Sequence, residues 1–501
     1  MSRLTRREFL TRSGSALAGS MLALPLAERL LIGRADAAPV IEAFPGRVAD
    51  DLANIVARLE KKFPYVSALY ASQSGITMRR DLKGKRVSEA PFGSQGVSLR
   101  VFDGIQFHDA AVGSTSPDDL NAIAQGLLRS VSMGKSQYRI LPLDARKQTW
   151  TTHMEIDPAS ESLEERMARL DKEFDRVSWD DPRVKSAGVN TDVLDIRRVF
   201  VSGNQRLASA TTMVTHGGFL FGFDKGHPGF GFTRRIEQGG MEVAKLSDAA
   251  IERMRKDFVE SFGTEAMPAG EYEVVFAPPV TGLLAHESFG HGVEMDQFVK
   301  DRAKAREFLG KPVASSIVSL VDDPSIAGAR GSYPFDDEGV IAAPTHIIEK
   351  GVFVQPLTDL MSATFLGTSR TPNGRTQGWD RKPYARMSNT FISPGASDPA
   401  ELLASLKDGL YLEGFRNGIE DPQGWGIQFT AASAREYKGG KPTGRMFAPV
   451  TVTGYVPEIL SNITMVGNDF ALEPGTCGKG FKEFVAVTSG GPHIRTRARV
   501  S

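Results

Sequence analysis

Residues 282–292 read Gly-Leu-Leu-Ala-His-Glu-Ser-Phe-Gly-His-Gly and hold two of the chain's eight histidines. His286 and His291 lie five positions apart, and Glu287 directly follows the first. Neutral imidazoles bind divalent metals, and a water held by such a metal needs a base close by to take its proton. The familiar zinc-site spacing, His-Glu-x-x-His, sets both imidazoles on one helix face. The extra residue here turns the second ring about 140° away from the first on a regular helix. Both rings reach one ion only where the helix ends or widens. The flanking Gly290 and Gly292 favour an ending, so the expectation is a helix over residues 283–289 that breaks at Gly290 and swings His291 back toward His286.

The only cysteine, Cys477, lies in Glu473-Pro474-Gly475-Thr476-Cys477-Gly478-Lys479-Gly480. A single cysteine forms no internal disulfide, and a lone one ordinarily fills a core position as a small hydrophobe. The glycines around it suggest an exposed, tight turn instead, with Lys479 placed to favour the thiolate. Two imidazoles, a thiolate and an open fourth position make the donor set of a catalytic zinc site. Glu294 and Asp296 are the alternative ligands should Cys477 lie too far away. His216, His227 and His346 have no partner at ligand spacing and read as structural or exposed.

The pairing of His-Glu-x-x-x-His with Pro-Gly-x-Cys-Gly-Lys, some 190 residues later, resembles the TldD/PmbA family of metalloproteases, and within it the catalytic TldD-type subunit; the PmbA (TldE) type lacks the histidine motif. The segments 331–339 (Gly-Ser-Tyr-Pro-Phe-Asp-Asp-Glu-Gly) and 386–390 (Arg-Met-Ser-Asn-Thr) add to the likeness, which runs from about Ile41 to the C-terminus and is most specific in the second half. The resemblance implies a Zn2+ ion held by His286, His291 and Cys477, with Glu287 as general base. It also implies extended, unstructured peptide substrates cut with little sequence preference, and a dimer enclosing the site, either a homodimer or a heterodimer with a PmbA-like subunit. One departure stands out. The family commonly continues Cys-Gly-Lys-x-Gly-Gln, whereas this chain reads Cys477-Gly478-Lys479-Gly480-Phe481-Lys482. Arg386 and Asn389 could bind peptide carbonyls or a terminal carboxylate, or equally serve as structural hydrogen-bond partners, and the acids of 332–338 read either as a solvated loop or as a rim that holds a substrate backbone or steadies the metal site. Two other readings stay open: a non-catalytic peptide-binding partner subunit, and a metal-dependent hydrolase acting on non-peptide amides.

The 501 residues carry 60 basic and 60 acidic side chains, 41% hydrophobic and 24% charged. That is an ordinary globular composition with no electrostatic pull toward nucleic acid. Thr5-Arg6-Arg7-Glu8-Phe9-Leu10 reads as a twin-arginine export signal, followed by a weakly apolar stretch over 15–26 and a small-x-small cleavage site at Ala35-Asp36-Ala37. The stretch is too short and too poor in apolar residues to span a bilayer stably. Removing residues 1–37 leaves 54 basic and 57 acidic residues. The expected destination is periplasmic or otherwise extracytoplasmic, which a fold without disulfides tolerates.

The positioning elements fall into two textures. Residues 38–264 read as an N-terminal α/β sandwich-like domain. It has amphipathic helices over 47–63, 116–131, 162–177 and 247–263, and strands at 97–102, 196–201 and 207–214. Residues 137–158 read as a linker or crossing strand, and the Gly/Phe-rich 216–231 as a flap or hairpin. Residues 265–501 read as the metal-binding catalytic domain. Short β-branched runs at 272–276, 315–321, 345–348, 426–431 and 450–455 alternate with Gly, Pro and Asn, and residues 398–406 form a helical insertion. That texture points to a mainly antiparallel, partly barrel-like β domain and an α+β chain. No phosphate-binding glycine loop and no repeat of fixed period is evident.

Overall fold

A computed structural model describes residues 46–501 apart from Pro91, Phe92, Ser136 and Phe481. The twin-arginine motif and the expected cleavage at Ala37 lie outside the described residues. The described residues fall in one compact unit.

The first half is an eight-stranded sheet, mostly antiparallel. Its centre is three long strands, Tyr65–Asp81, Val184–Ser202 and Gln205–Asp224. Helices Gly46–Leu59, Pro117–Ser130, Leu163–Val177 and Asp248–Glu260 pack on it through the stripes their periodicity marks. Ser116 caps its helix by accepting from Asp119 N–H, and Ser162 with Glu165 forms a reciprocal capping box, so local side-chain chemistry sets both starts. The two strands expected at 196–201 and 207–214 are the paired ends of much longer ones. Tertiary pairing carries them through glycines and charges that a local pattern reads as loop. Arg146–Thr151 is a crossing strand, parallel to Gln205–Asp224, and the Gly/Phe segment forms a hairpin with His227–Gln238.

In the second half, strand Asp408–Asp421 pairs with Gly270–Phe276. The ladder then passes through Ile494–Val500, Val450–Tyr455 and Gly426–Lys438 and returns to Asp408–Asp421. Five strands thus close into a small barrel, and the chain is α+β and partly barrel-like. Beside the barrel lies a six-stranded sheet whose last two strands are Lys482–Gly491 and, at the edge, Ala471–Lys479. Helix Pro278–Ala285 packs against both Lys482–Gly491 and the barrel strand Asp408–Asp421. Gly282 permits that closeness: a Cβ there would fall 2.5 Å from the Gly490 backbone nitrogen. No helix among the described residues is long and apolar enough to cross a membrane.

The acids of 332–338 do not form an exposed rim. Asp336, Asp337 and Glu338 are all buried. Asp336 accepts three backbone N–H groups, from Glu338, Val340 and Gly374. Asp337 pairs with Arg198 at 2.6 Å and Glu338 with Arg100 at 2.6 Å, both arginines coming from the N-terminal sheet. The segment ties the two halves together by desolvated charge, which is costly to disturb because each ion's hydration is already lost. Burial pushes Glu338 up to about 7, with Arg100 pulling the other way.

Arg100→Met should therefore cost about 3–5 kcal/mol near neutral pH and above. The cost should shrink in acid, where Glu338 takes up a proton and is no longer an unpaired charge. Its folded pKa lies above the 4.5 of an unperturbed glutamate. The group's contribution is thus fully present below that value and is lost as pH rises through about 7. Denaturant melts of wild type and variant near pH 5 and pH 8 read this directly.

Candidate metal centre

His286 follows the last residue of helix Pro278–Ala285. The chain neither stops there nor breaks at Gly290. Residues His286–Gly290 form a single π turn, in which His291 N–H donates to the carbonyl of His286, and a short 3-10 turn His291–Val293 follows. An i→i+5 bond stacks residues five apart, so the widened turn does what a break was expected to do and brings both rings to one side. Their centroids lie 5.2 Å apart at 86°. Gly290 is needed here because the Met387 thioether fills the space: its Sδ lies 2.0 Å from where a Cβ would be.

Cys477 is not in an exposed turn. It is buried in the edge strand Ala471–Lys479, opposite Val485, just before a bulge. Its Sγ is 3.1 Å from His291 Nε2, and candidate ligand atoms of His286, His291 and Cys477 all lie within 4.8 Å of one another. Two donors on one tetrahedral zinc are about 3.5 Å apart, a spacing that lies between the shortest of these separations and their upper bound. His286 Nδ1 is buried with no hydrogen-bond partner among the described residues. A soft thiolate and two imidazoles, one of them with an orphaned ring nitrogen, make a donor set that suits zinc.

The surrounding charge favours a thiolate. Burial by itself would raise the Cys477 thiol, but His291, His286 and Arg386 outweigh it and hold the group well below its ordinary value. Arg386, not Lys479, contacts the sulfur, its Nη2 at 2.7 Å from Sγ. Lys479 Nζ instead reaches Asp296 Oδ1 at 2.6 Å and Glu294 Oε2 at 3.0 Å. Glu294, considered above as a ligand, stands one layer out, 3.3 Å from His291 Nδ1 and 3.0 Å from Arg386 Nε. A carboxylate behind an imidazole fixes the ring's tautomer and orientation. Asp296 is spent on Lys479 and Lys300.

Glu287 is buried. Desolvation raises its pKa, with the positive charge of His286 and His291 opposing. Strand Asp408–Asp421 walls it in, and Gly418 makes the room: a Cβ at 418 would sit 2.4 Å from Glu287 Cγ. Two positions on, Glu420 is a carboxylate that the sequence reading missed. Both its oxygens are buried and unpartnered among the described residues, and burial pushes it up to about 9. The period-2 spacing of Gly418 and Glu420 on a strand was the available signal, but it has meaning only once the strand is known to cross the histidine turn.

Arg386 and Asn389 do not face a substrate in this structure. Both are fully buried. Arg386 is used up by Glu294, Cys477 and the carbonyl of Glu483. The Asn389 amide donates to Asp323 O at 2.6 Å and Ser332 Oγ at 2.8 Å. They hold site-bearing segments in place. His216 is buried against Thr191 and Glu173, while His227 and His346 are exposed.

The fold and this centre define the class: an α+β chain with a largely buried His/His/Cys cluster and a carboxylate beside it. Residues 269–500 match the PmbA/TldA metallopeptidase C-terminal domain. A metalloprotease of Methanocaldococcus jannaschii is 32% identical over 69% of this chain and 76% of its own length. A Thermotoga maritima structure, described as that of a candidate modulator of DNA gyrase, aligns with a TM-score of 0.72 over 90% of this chain and 99% of its own, at 19% identity. TldE of Thermococcus kodakarensis aligns at 0.69 over 90% and 100%, at 16% identity. The chain belongs to the PmbA/TldD family of metallopeptidases.

Proposed function

We propose that this chain is a TldD-type catalytic subunit, a zinc peptidase that hydrolyses extended or unfolded peptides. The observation that carries the reading is the convergence of His286, His291 and Cys477 within 4.8 Å, with the Glu287 carboxylate next in sequence to the first. Bound there, zinc would activate a water near neutral pH and polarise a peptide carbonyl. Glu287 takes a proton from the attacking water and delivers it to the leaving amine. Its burial supports this, because a desolvated carboxylate holds a proton more readily than a solvated one. Arg386 keeps the Cys477 sulfur in place, and Glu294 orients His291.

The intact donor set favours a catalytic subunit over a binding-only partner. We also propose a dimer, with a second copy or a PmbA-like subunit, and export through the twin-arginine signal at residues 5–10. Main-chain recognition along a sheet edge supports lax specificity, since backbone hydrogen bonds ignore side chains.

The test uses the purified full chain and an unstructured fluorogenic peptide. Chelation should abolish cleavage, and about one equivalent of zinc per chain should restore it. Activity that survives complete removal of metal overturns the proposal. Turnover of simple amides but not of peptides would replace it with amide hydrolysis.

A further inference from the structure

The edge strand that carries Cys477 is bordered by arginines that hold no carboxylate in ion-pair contact. Arg234, on the hairpin strand His227–Gln238, donates from Nη2 to the Pro474 carbonyl at 2.7 Å. Arg330 donates from Nε to the Gly475 carbonyl at 2.9 Å and from Nη2 to Thr476 Oγ1 at 3.1 Å. Arg375 lies behind them, over the Tyr333 ring at 4.8 Å, and donates to the Met387 carbonyl. None of the three has a carboxylate oxygen within 4.0 Å among the described residues. That sets them apart from the arginines around them: Arg100, Arg198 and Arg386 each hold an acid at 3.0 Å or closer.

The electrostatics agree with the geometry. Burial, with Arg234 and Arg375 adding repulsion, brings Arg330 down to about 10, and Asp192 compensates only in part. Burial also lowers Arg234, against which Glu473 acts weakly. Guanidiniums crowded by protein and by each other gain most from an incoming anion, because the anion relieves both desolvation and mutual repulsion. The recess remains reachable: Arg234 and Thr476 are exposed and Arg330 is partly so.

The location assigns the anion. Pro474, Gly475 and Thr476 are the three residues before Cys477, and a strand advances about 3.3 Å per residue. The guanidinium contacts therefore lie about 3–10 Å from the metal-centre sulfur along the strand. An extended peptide has the same rise, so these arginines meet it one to three residues from the bond to be cut.

We infer that Arg234 and Arg330 form an anion-recognition subsite beside the metal centre, selecting peptides that carry a carboxylate, from an acidic side chain or the C-terminus, within three residues of the cleaved bond. The inference rests on the peptidase reading and narrows its substrate class: backbone binding is permissive, and this subsite biases it. The bland alternative is that both arginines only brace the strand through its carbonyls. In that case, removing them would weaken acidic and neutral peptides equally.

Binding is measured by fluorescence anisotropy with the zinc-loaded Glu287→Gln chain, so that the readout does not depend on turnover. Four peptides are compared: one with an acidic residue and a free C-terminus, its Asn/Gln counterpart, and each of these with an amidated end. The expected result is a preference of about tenfold for the recognised carboxylate, acidic over neutral or free over amidated, as for a charge-assisted contact, that fades as salt is raised. The preference should collapse toward unity in Arg234→Gln/Arg330→Gln and be largely retained in Arg330→Lys. A free-over-amidated preference assigns the C-terminal carboxylate; an acidic-over-neutral preference between amidated peptides assigns the side chain. Equal binding of all four peptides in the wild-type background, or a carboxylate preference that survives the double glutamine variant with zinc still bound, overturns the subsite. A chain that shows the preference yet never cleaves with Glu287 restored overturns the peptidase reading instead.

Discussion

Glu287→Gln is expected to cut peptide cleavage by about a hundred- to ten-thousand-fold, the range a positioned general base supplies, while zinc content stays at one per chain. Glutamine has the same shape and fits the slot opposite Gly418, so the packing of the histidine turn survives. What is lost is the ability to accept a proton. The donor atoms of His286, His291 and Cys477 are untouched, so metal binding and catalysis should separate cleanly. Gly418→Ala gives a second view of the same group. Residue 418 has no positive φ, so alanine suits its backbone. Its Cβ, however, would sit 2.4 Å from Glu287 Cγ and push the carboxylate aside. It should lower kcat with zinc retained, and by less than Glu287→Gln. Zinc by elemental analysis and kcat on an unstructured peptide measure both. A glutamine variant keeping more than about a tenth of wild-type activity would remove Glu287 from the role of base.

The candidate metal-binding cluster was legible because its chemistry is in its residue types: two histidines, one following acid and a single cysteine need no fold to be singled out. Their local geometry was not. A five-residue spacing with glycine after it reads as a broken helix, whereas the chain inserts a π turn. Met387, from a segment about a hundred residues away, fills the space over Gly290 that a side chain would need. The strand texture of the second half pointed to a barrel, but closure of Asp408–Asp421 onto Gly426–Lys438 is a matter of register, which alternation cannot specify. The acids at 336–338 looked solvated because their partners, Arg100 and Arg198, sit more than a hundred residues earlier. Arg386, expected to bind substrate, is buried against Cys477 and Glu294. In sequence it is a cation near a cleft, and only the fold shows its guanidinium closed off by a thiol, a carboxylate and a carbonyl.

That enclosure determines what Cys477→Ser should do. Serine keeps a hydrogen-bond acceptor at about the right place for Arg386, so the strand should hold. It does not supply a thiolate at neutral pH. The centre then presents two imidazoles and a buried guanidinium, and the guanidinium, 2.7 Å from the former sulfur position, repels a dication that nothing there now neutralises. Zinc affinity should fall by more than the about 10–100-fold typical of losing an outer-shell partner, and cleavage should drop to background. Arg386→Lys supplies the comparison. A lysine keeps the charge but cannot bridge Glu294, Cys477 and the Glu483 carbonyl at once, so it should fall within that outer-shell range. Competition against a chelator of known strength ranks wild type, Arg386→Lys and Cys477→Ser in that order of decreasing zinc affinity. If the serine variant still holds one zinc as tightly as wild type, sulfur is not a ligand.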